Sequence, residues 1–157
     1  MTSPALPLWP VHSGPHLQSE VSAVIGSGDA LWARAASDIL CWKVKTASGF
    51  KVSSSATVRA GDRTEIYAGV LGIRVVEPVE VLEVIKTPDR VGFSYGTLPG
   101  HPVTGEEAFI VERLGDEIRL TIRSLTSPSP QQPWRALFPL LLVVQKLVRH
   151  RYLRSLS

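Results

Sequence analysis

Apolar residues recur along this chain with two periods, and the changes of period mark its elements. Residues 17–25 alternate loosely enough for a first strand, which Gly26-Ser27-Gly28 ends. Leu31, Ala35, Ile39 and Trp42 then recur at helical spacing, so a helix is expected to about Trp42, capped by Ser27 and with Asp29 favourably placed in its first turn. From Phe50 the period falls to two. Phe50, Val52, Ser54, Ala56 and Val58 share one face, with Lys51, Ser53, Ser55, Thr57 and Arg59 on the other, the pattern of a half-buried strand. Further strands are expected over 64–69, 79–86, 91–97, 106–114 and 117–125, separated by turns such as Pro88-Asp89 and Gly115-Asp116. Those links are too short for parallel crossovers, which predicts an antiparallel meander.

Ser127-Pro128-Ser129-Pro130 and Pro133 mark a loop, after which 134–156 reads as a long C-terminal helix kinked at Pro139. Trp134, Leu137, Phe138, Leu141, Val144, Val148 and Tyr152 form its apolar stripe. The first half of this helix is apolar nearly all round, which predicts burial on several sides across a curved sheet. The fold class is α+β.

With 157 residues, 44% of them hydrophobic and 20% charged, the chain fits one domain with a real core. Pro4, Pro7, Pro10 and Pro15 make 1–16 an extended arm ahead of a single domain over 17–157. The net charge of +3 is too mild to imply nucleic acid, but it is unevenly placed. Eleven of the seventeen cations and all fourteen acids lie in the first 122 residues, leaving that stretch at −3 and the remainder at +6. Lys146, Arg149, Arg151 and Arg154 could therefore touch an anionic surface.

A single cysteine, Cys41, excludes an internal disulfide and reads as a packed helix residue beside Trp42. No His or Cys cluster has metal-ligand spacing, so neither a metal nor a cofactor is expected. The N-terminus lacks an export pattern, and the longest apolar run, 136–144, is about half of the roughly 20 residues that cross a bilayer. A cytoplasmic protein without a transmembrane segment is the expectation.

Candidate chemistry concentrates between Gly92 and Phe109, where two strands are joined by a Gly- and Pro-rich loop longer than a tight hairpin needs. Pro99 and Pro102 stiffen the loop around His101, a residue whose ordinary pKa suits acid–base work. By alternation Phe93, Tyr95 and Thr97 share a face. Either Glu106 or Glu107 must point inward; the larger side chains on its face favour Glu107, and an inward carboxyl with a raised pKa is a candidate acid or base. Gly26-Ser27-Gly28 lacks a full phosphate-loop pattern and reads as a strand-to-helix turn, while Arg119 and Arg123 fall on the face opposite Ile118, Leu120 and Ile122, expected to be solvated.

Three stretches carry a family likeness: Gly26-Ser27-Gly28 with the helix that follows, Gly92 to Pro102 with Gly105 to Phe109, and Gln145 with Arg151-Tyr152-Leu153. They resemble the YndJ-like domains of unknown function (DUF1990, UPF0548), and the likeness covers the chain from about Leu17 onward. Ser127 stands where that family commonly has an arginine before the proline. The resemblance brings no established activity. It implies a helix-grip fold, similar to the birch-pollen allergen and steroidogenic lipid-transfer domains, in which a curved antiparallel sheet of six to seven strands wraps a long C-terminal helix.

The leading functional expectation is a module that binds an apolar or amphipathic small molecule between sheet and C-terminal helix, lined by Phe93, Tyr95, Thr97, His101, Glu107, Phe109, Leu137 and Leu141. The alternatives are an enzyme using Glu106 or Glu107 with His101 as acid and base, and a peripheral membrane or partner-binding protein working through the basic C-terminal helix.

Overall fold

A computed structural model of the chain describes residues 1–11, 13–70 and 72–157; residue 12 of the expected arm lies outside them. Strand β1 (Leu17–Ser27) leads into helices α1 (Asp29–Ile39) and α2 (Lys43–Thr46), followed by β2 (Lys51–Val52), β3 (Arg63–Val70), β4 (Ile73–Lys86), β5 (Arg90–Thr97), β6 (Val103–Leu114), β7 (Glu117–Pro128) and helix α3 (Phe138–Tyr152). The seven strands form one antiparallel sheet in the order β1-β7-β6-β5-β4-β3-β2. From β2 to β7 each strand pairs with its sequence neighbour, as short links require, and β1 closes on β7 after the helices. The architecture is the helix-grip arrangement: a curved antiparallel sheet, a C-terminal helix and a shorter N-terminal one.

Strand alternation sorts the sheet into two faces. Val79, Val81, Phe93, Tyr95, Phe109, Val111, Leu120 and Ile122 point inward, where Ala35 and Ile39 of α1, Trp42, Val44 of α2 and Tyr152 of α3 complete one buried core. Arg90, Glu106, Glu112 and Arg123 point outward. Gly105 shows how tightly β6 and β7 are joined: at φ 148° it lies so close to β7 that a Cβ would sit 1.7 Å from the Leu125 carbonyl oxygen.

Five local expectations are corrected by the tertiary structure. Ser27 stays in β1, and Gly28, at φ 96°, takes the N-cap position of α1 without a side-chain cap. The first helix stops at Ile39, because Trp42 adopts a left-handed conformation (φ 62°) that turns its indole into the core before α2 begins. The period-two stretch from Phe50 pairs only at Lys51 and Val52; beyond it the Ser53 hydroxyl accepts the Glu65 N–H at 3.1 Å, and the chain leaves the sheet to bury Val58 beside the end of α1. Strand β4 begins six residues before the expected 79, running through Pro78, whose missing N–H the β3–β4 pairing tolerates. Finally, α3 starts at Phe138, so Pro139 falls in the first turn, where no intrahelical N–H is needed and no kink results.

The outer face departs from expectation where the arm crosses it. Arg123 is fully buried rather than solvated: its guanidinium donates to the carbonyls of Ser3 (2.7 Å) and Leu6 (2.9 Å) and to Glu20 (2.6 Å). Arg90 donates to the carbonyls of Pro4 (2.6 Å) and Leu6 (2.9 Å) and pairs with Glu112 at 2.8 Å. The two guanidiniums thus strap the start of the chain across the outer face.

Candidate functional site

The inner face carries a compact group of polar side chains inside an otherwise apolar core. Glu107, on β6, lies directly opposite Tyr95 on β5, whose hydroxyl donates to Glu107 Oε1. Lys45 reaches in from α2, with Nζ 3.7 Å from Glu107 Oε1 and donating to the Tyr152 hydroxyl of α3 at 2.6 Å. The rings of Phe50 and Tyr152 face the same ammonium, with centroids 4.5 and 5.0 Å away. Three layers of the fold therefore converge on one cation. Beside them His101 places Nε2 3.7 Å from Glu77 Oε1, and the His101 Nδ1 accepts the Val103 N–H at 3.1 Å.

Glu77 is the member that alternation did not supply. Continuing the inward row Val81, Val79 back through Pro78 places it on the inner face; the proline concealed that continuation because it reads as a strand break. The side chains of Glu77 and Glu107 are 15% and 16% exposed, so the group is sheltered yet reachable. Glu77 Oε2 is buried and has no hydrogen-bond partner among the described residues, and the same holds for Oε1 of Gln145 on α3.

Burial dominates the titration of this group. Desolvation raises the Glu77 carboxyl above the ordinary range, with Lys45 pulling down and Glu107 pushing up. The Tyr95 and Tyr152 phenols are raised well above 10 by burial and then by the Glu107 charge. His101 is lowered to about 3, by burial first and then by Lys45. Its imidazole is therefore neutral near pH 7, and since Nδ1 accepts the Val103 N–H, the proton sits on Nε2 toward Glu77.

The other singled-out residues are dispersed. Glu106 points outward, accepting from the Thr2 N–H at 3.4 Å, which separates it from His101 and leaves Glu107 as the inward carboxylate. Thr97 Oγ1 accepts the Gly105 N–H at 3.1 Å and steadies the 98–102 turn. Phe93 and Phe109 are fully buried and packed edge to face, 5.8 Å between centroids, with Trp42 4.8 Å from Phe93 and Tyr152 5.4 Å from Phe109. Leu141 is half-buried, and Leu137 is exposed just before α3. Two open clefts of about 540 and 390 Å³ lie at the β3 side, one against Trp42, Arg59 and Asp62 and the other against Pro78 and Leu98; Arg63 and Thr64 border both. Among the described residues no group of three His, Cys, Asp or Glu side chains could hold a metal ion, and no helix is long and apolar enough to cross a membrane.

Comparison with known proteins agrees with this architecture. A UPF0548 protein of Deinococcus radiodurans is 64% identical over 33 residues, which is 21% of this chain and 17% of that protein. Among solved structures, a hypothetical protein of Helicobacter pylori superposes with a TM-score of 0.62 at 14% identity, covering 90% of this chain and 84% of its own. Major latex-like protein 151 of Panax ginseng does so with a TM-score of 0.53 at 13% identity, covering 88% and 99%. These likenesses concern the fold alone. Residues 12–155 match the family described as Domain of unknown function (DUF1990), a span that takes in the whole sheet, all three helices and every residue of the inner polar group, and the chain belongs to that family.

Proposed function

We propose that this domain binds a small amphipathic molecule on the inner face of the sheet beneath α3, with the molecule's polar end donating a hydrogen bond or a positive charge to Glu77. The observation that carries the reading is the unpartnered, buried Glu77 Oε2 in a group whose neighbours are hydrogen-bonded. Leaving such an atom unsatisfied costs about 1–3 kcal/mol, which a ligand donor would recover. The carboxylates Glu77 and Glu107 face two cations, Lys45 and Arg149, the latter bonded to Ser124 opposite Glu107, so it is the free acceptor on Glu77 rather than a net charge that asks for a donor. The apolar part would lie along the half-buried Leu141, Val144 and Val148 of α3, while Phe93, Tyr95 and Phe109 stay behind Trp42 and Tyr152 as packed core. An apolar wall with a few placed polar groups is the usual form of such sites.

A second reading, proton transfer by Glu77, is favoured by its raised pKa. His101 does not serve it well, since a pKa near 3 leaves it a poor acid or base at neutral pH. Native mass spectrometry of the full chain, before and after incubation with a lipid and metabolite extract, tests both. The binding reading expects a retained molecule that Glu77→Gln loses although its melting temperature does not fall. Equal retention by wild type and Glu77→Gln, or none by either, overturns it. Conversion of the retained molecule by wild type, with unchanged capture by Glu77→Gln, assigns the site to proton transfer instead.

A further inference from the structure

The side of α3 turned away from the sheet is apolar where a surface helix would ordinarily be polar. Leu140, Val143 and Leu147 lie three and four residues apart on that side and are 51%, 55% and 63% exposed. Leu137 and Pro139 extend the same exposed surface toward the helix start. The inward side is accounted for separately: Tyr152 is buried against Phe109, and Arg149 donates to Ser124 of β7 at 2.9 Å. The outer row therefore does not serve the core.

Around and beyond the end of this row, Lys146, His150, Arg151 and Arg154 are exposed, and none of Lys146, Arg151 or Arg154 forms an ion pair among the described residues. No acidic residue follows Glu117 in the sequence. An apolar row running into an unpaired cationic end asks for a partner that is apolar below and anionic above.

We propose that α3 docks on an anionic lipid bilayer, with Leu140, Val143 and Leu147 entering the headgroup–acyl boundary and Lys146, Arg151 and Arg154 meeting lipid phosphates. A helix of 15 residues is about 22 Å long, too short to span and suited to lying in the interface. A second copy docked helix to helix through the same face would bring no carboxylate to these cations, since α3 itself contains none. Nucleic acid would match the cations and leave the leucines in water. This inference is independent of the ligand reading, though docking there would bring the membrane to the helix that covers the inner face.

Co-sedimentation of the full chain with vesicles of phosphatidylcholine, with and without phosphatidylglycerol, tests it. Wild type is expected to bind the anionic vesicles at low salt and to weaken about tenfold as ionic strength rises past physiological. Leu140→Ser/Val143→Ser/Leu147→Ser should lose at least about tenfold in binding with an unchanged melting temperature, because these side chains are already exposed. Lys146→Gln/Arg151→Gln/Arg154→Gln should abolish the preference for phosphatidylglycerol. Failure of wild type to bind anionic vesicles at low salt overturns the proposal, as does wild-type binding by the serine variant. A concentration-dependent dimer dissolved by the serine substitutions, without vesicle binding, would assign the face to a second copy and equally overturn it.

Discussion

Two buried groups on the inner face pull the pH dependence of stability in opposite directions. His101 keeps its imidazole neutral down to about pH 3, whereas in the unfolded chain it protonates near its ordinary 6.5. Between those values the unfolded state holds the extra proton, so stability falls as pH drops, by up to ~1.4 kcal/mol per pH unit. Glu77 has the reverse sign: with its pKa raised in the fold, its favourable contribution is present below the ordinary carboxyl range and is lost as pH rises through the folded value. Urea denaturation between about pH 4 and pH 7 should therefore show a flatter acid limb for His101→Gln than for wild type. At neutral pH Glu77→Gln should be more stable than wild type by about 1–2 kcal/mol, because a neutral amide replaces a carboxylate with one unpartnered oxygen. Glu107 differs from Glu77 in having both Tyr95 and Lys45 as partners. Glu107→Gln strips the countercharge from a buried ammonium and should cost about 3 kcal/mol in the same measurement.

Among the elements, the N-terminal arm is held by the buried Thr2 and Pro4, by Glu106, and through its backbone carbonyls, while Leu6, Leu8 and Val11 are exposed. The carbonyl contacts are made by two guanidiniums. Arg123→Gln leaves the Ser3 and Leu6 carbonyls short of donors and Glu20 without its partner, with an expected loss of about 3 kcal/mol. Limited proteolysis should then cut within the first ten residues well before the sheet is touched; an arm as resistant as in wild type would show that Arg90 suffices. The β6–β7 pairing has an equally local dependence. Gly105→Ala would drive a methyl into the Leu125 carbonyl at a backbone angle that L-residues rarely adopt, and thermal unfolding should show a loss of about 3 kcal/mol or more.

For the molecule as a whole, the grip of sheet on helix is uneven. Tyr152 bonds Lys45 and packs on Phe109, and Arg149 bonds Ser124, so the C-terminal turns of α3 are fastened to the core; its first turns carry exposed Leu140 and Val143. Local opening follows such differences in buried contact. Native-state hydrogen exchange should find amides of 141–147 exchanging ahead of those of 149–152, and both ahead of the central strands β5, β6 and β7. Uniform protection along α3 would contradict this account and would weaken the case for a ligand-accessible space beneath its first half.

Much of this architecture is local information. Strand alternation grouped Phe93 with Tyr95 and Leu120 with Ile122, strand by strand, and link lengths too short for crossovers required antiparallel neighbours, because both depend only on side-chain period and chain reach. Alternation favoured Glu107 over Glu106 without deciding between them; the pairing of Glu107 with Tyr95 on β5 decides it. What the sequence could not decide depends on contacts between distant segments. Pro78 hid the strand that carries Glu77 inward, and only pairing with β3 restores it. Lys45, Tyr95 and Tyr152 meet only when α2, β5 and α3 are stacked, although their sequence separations reach 107 residues. Arg123 occupied a face that alternation marks as outer, and the arm laid across that face turned it from a solvated residue into a buried one. Period and link length determine where a side chain points; whether something waits there to cover or pair it is decided by tertiary structure.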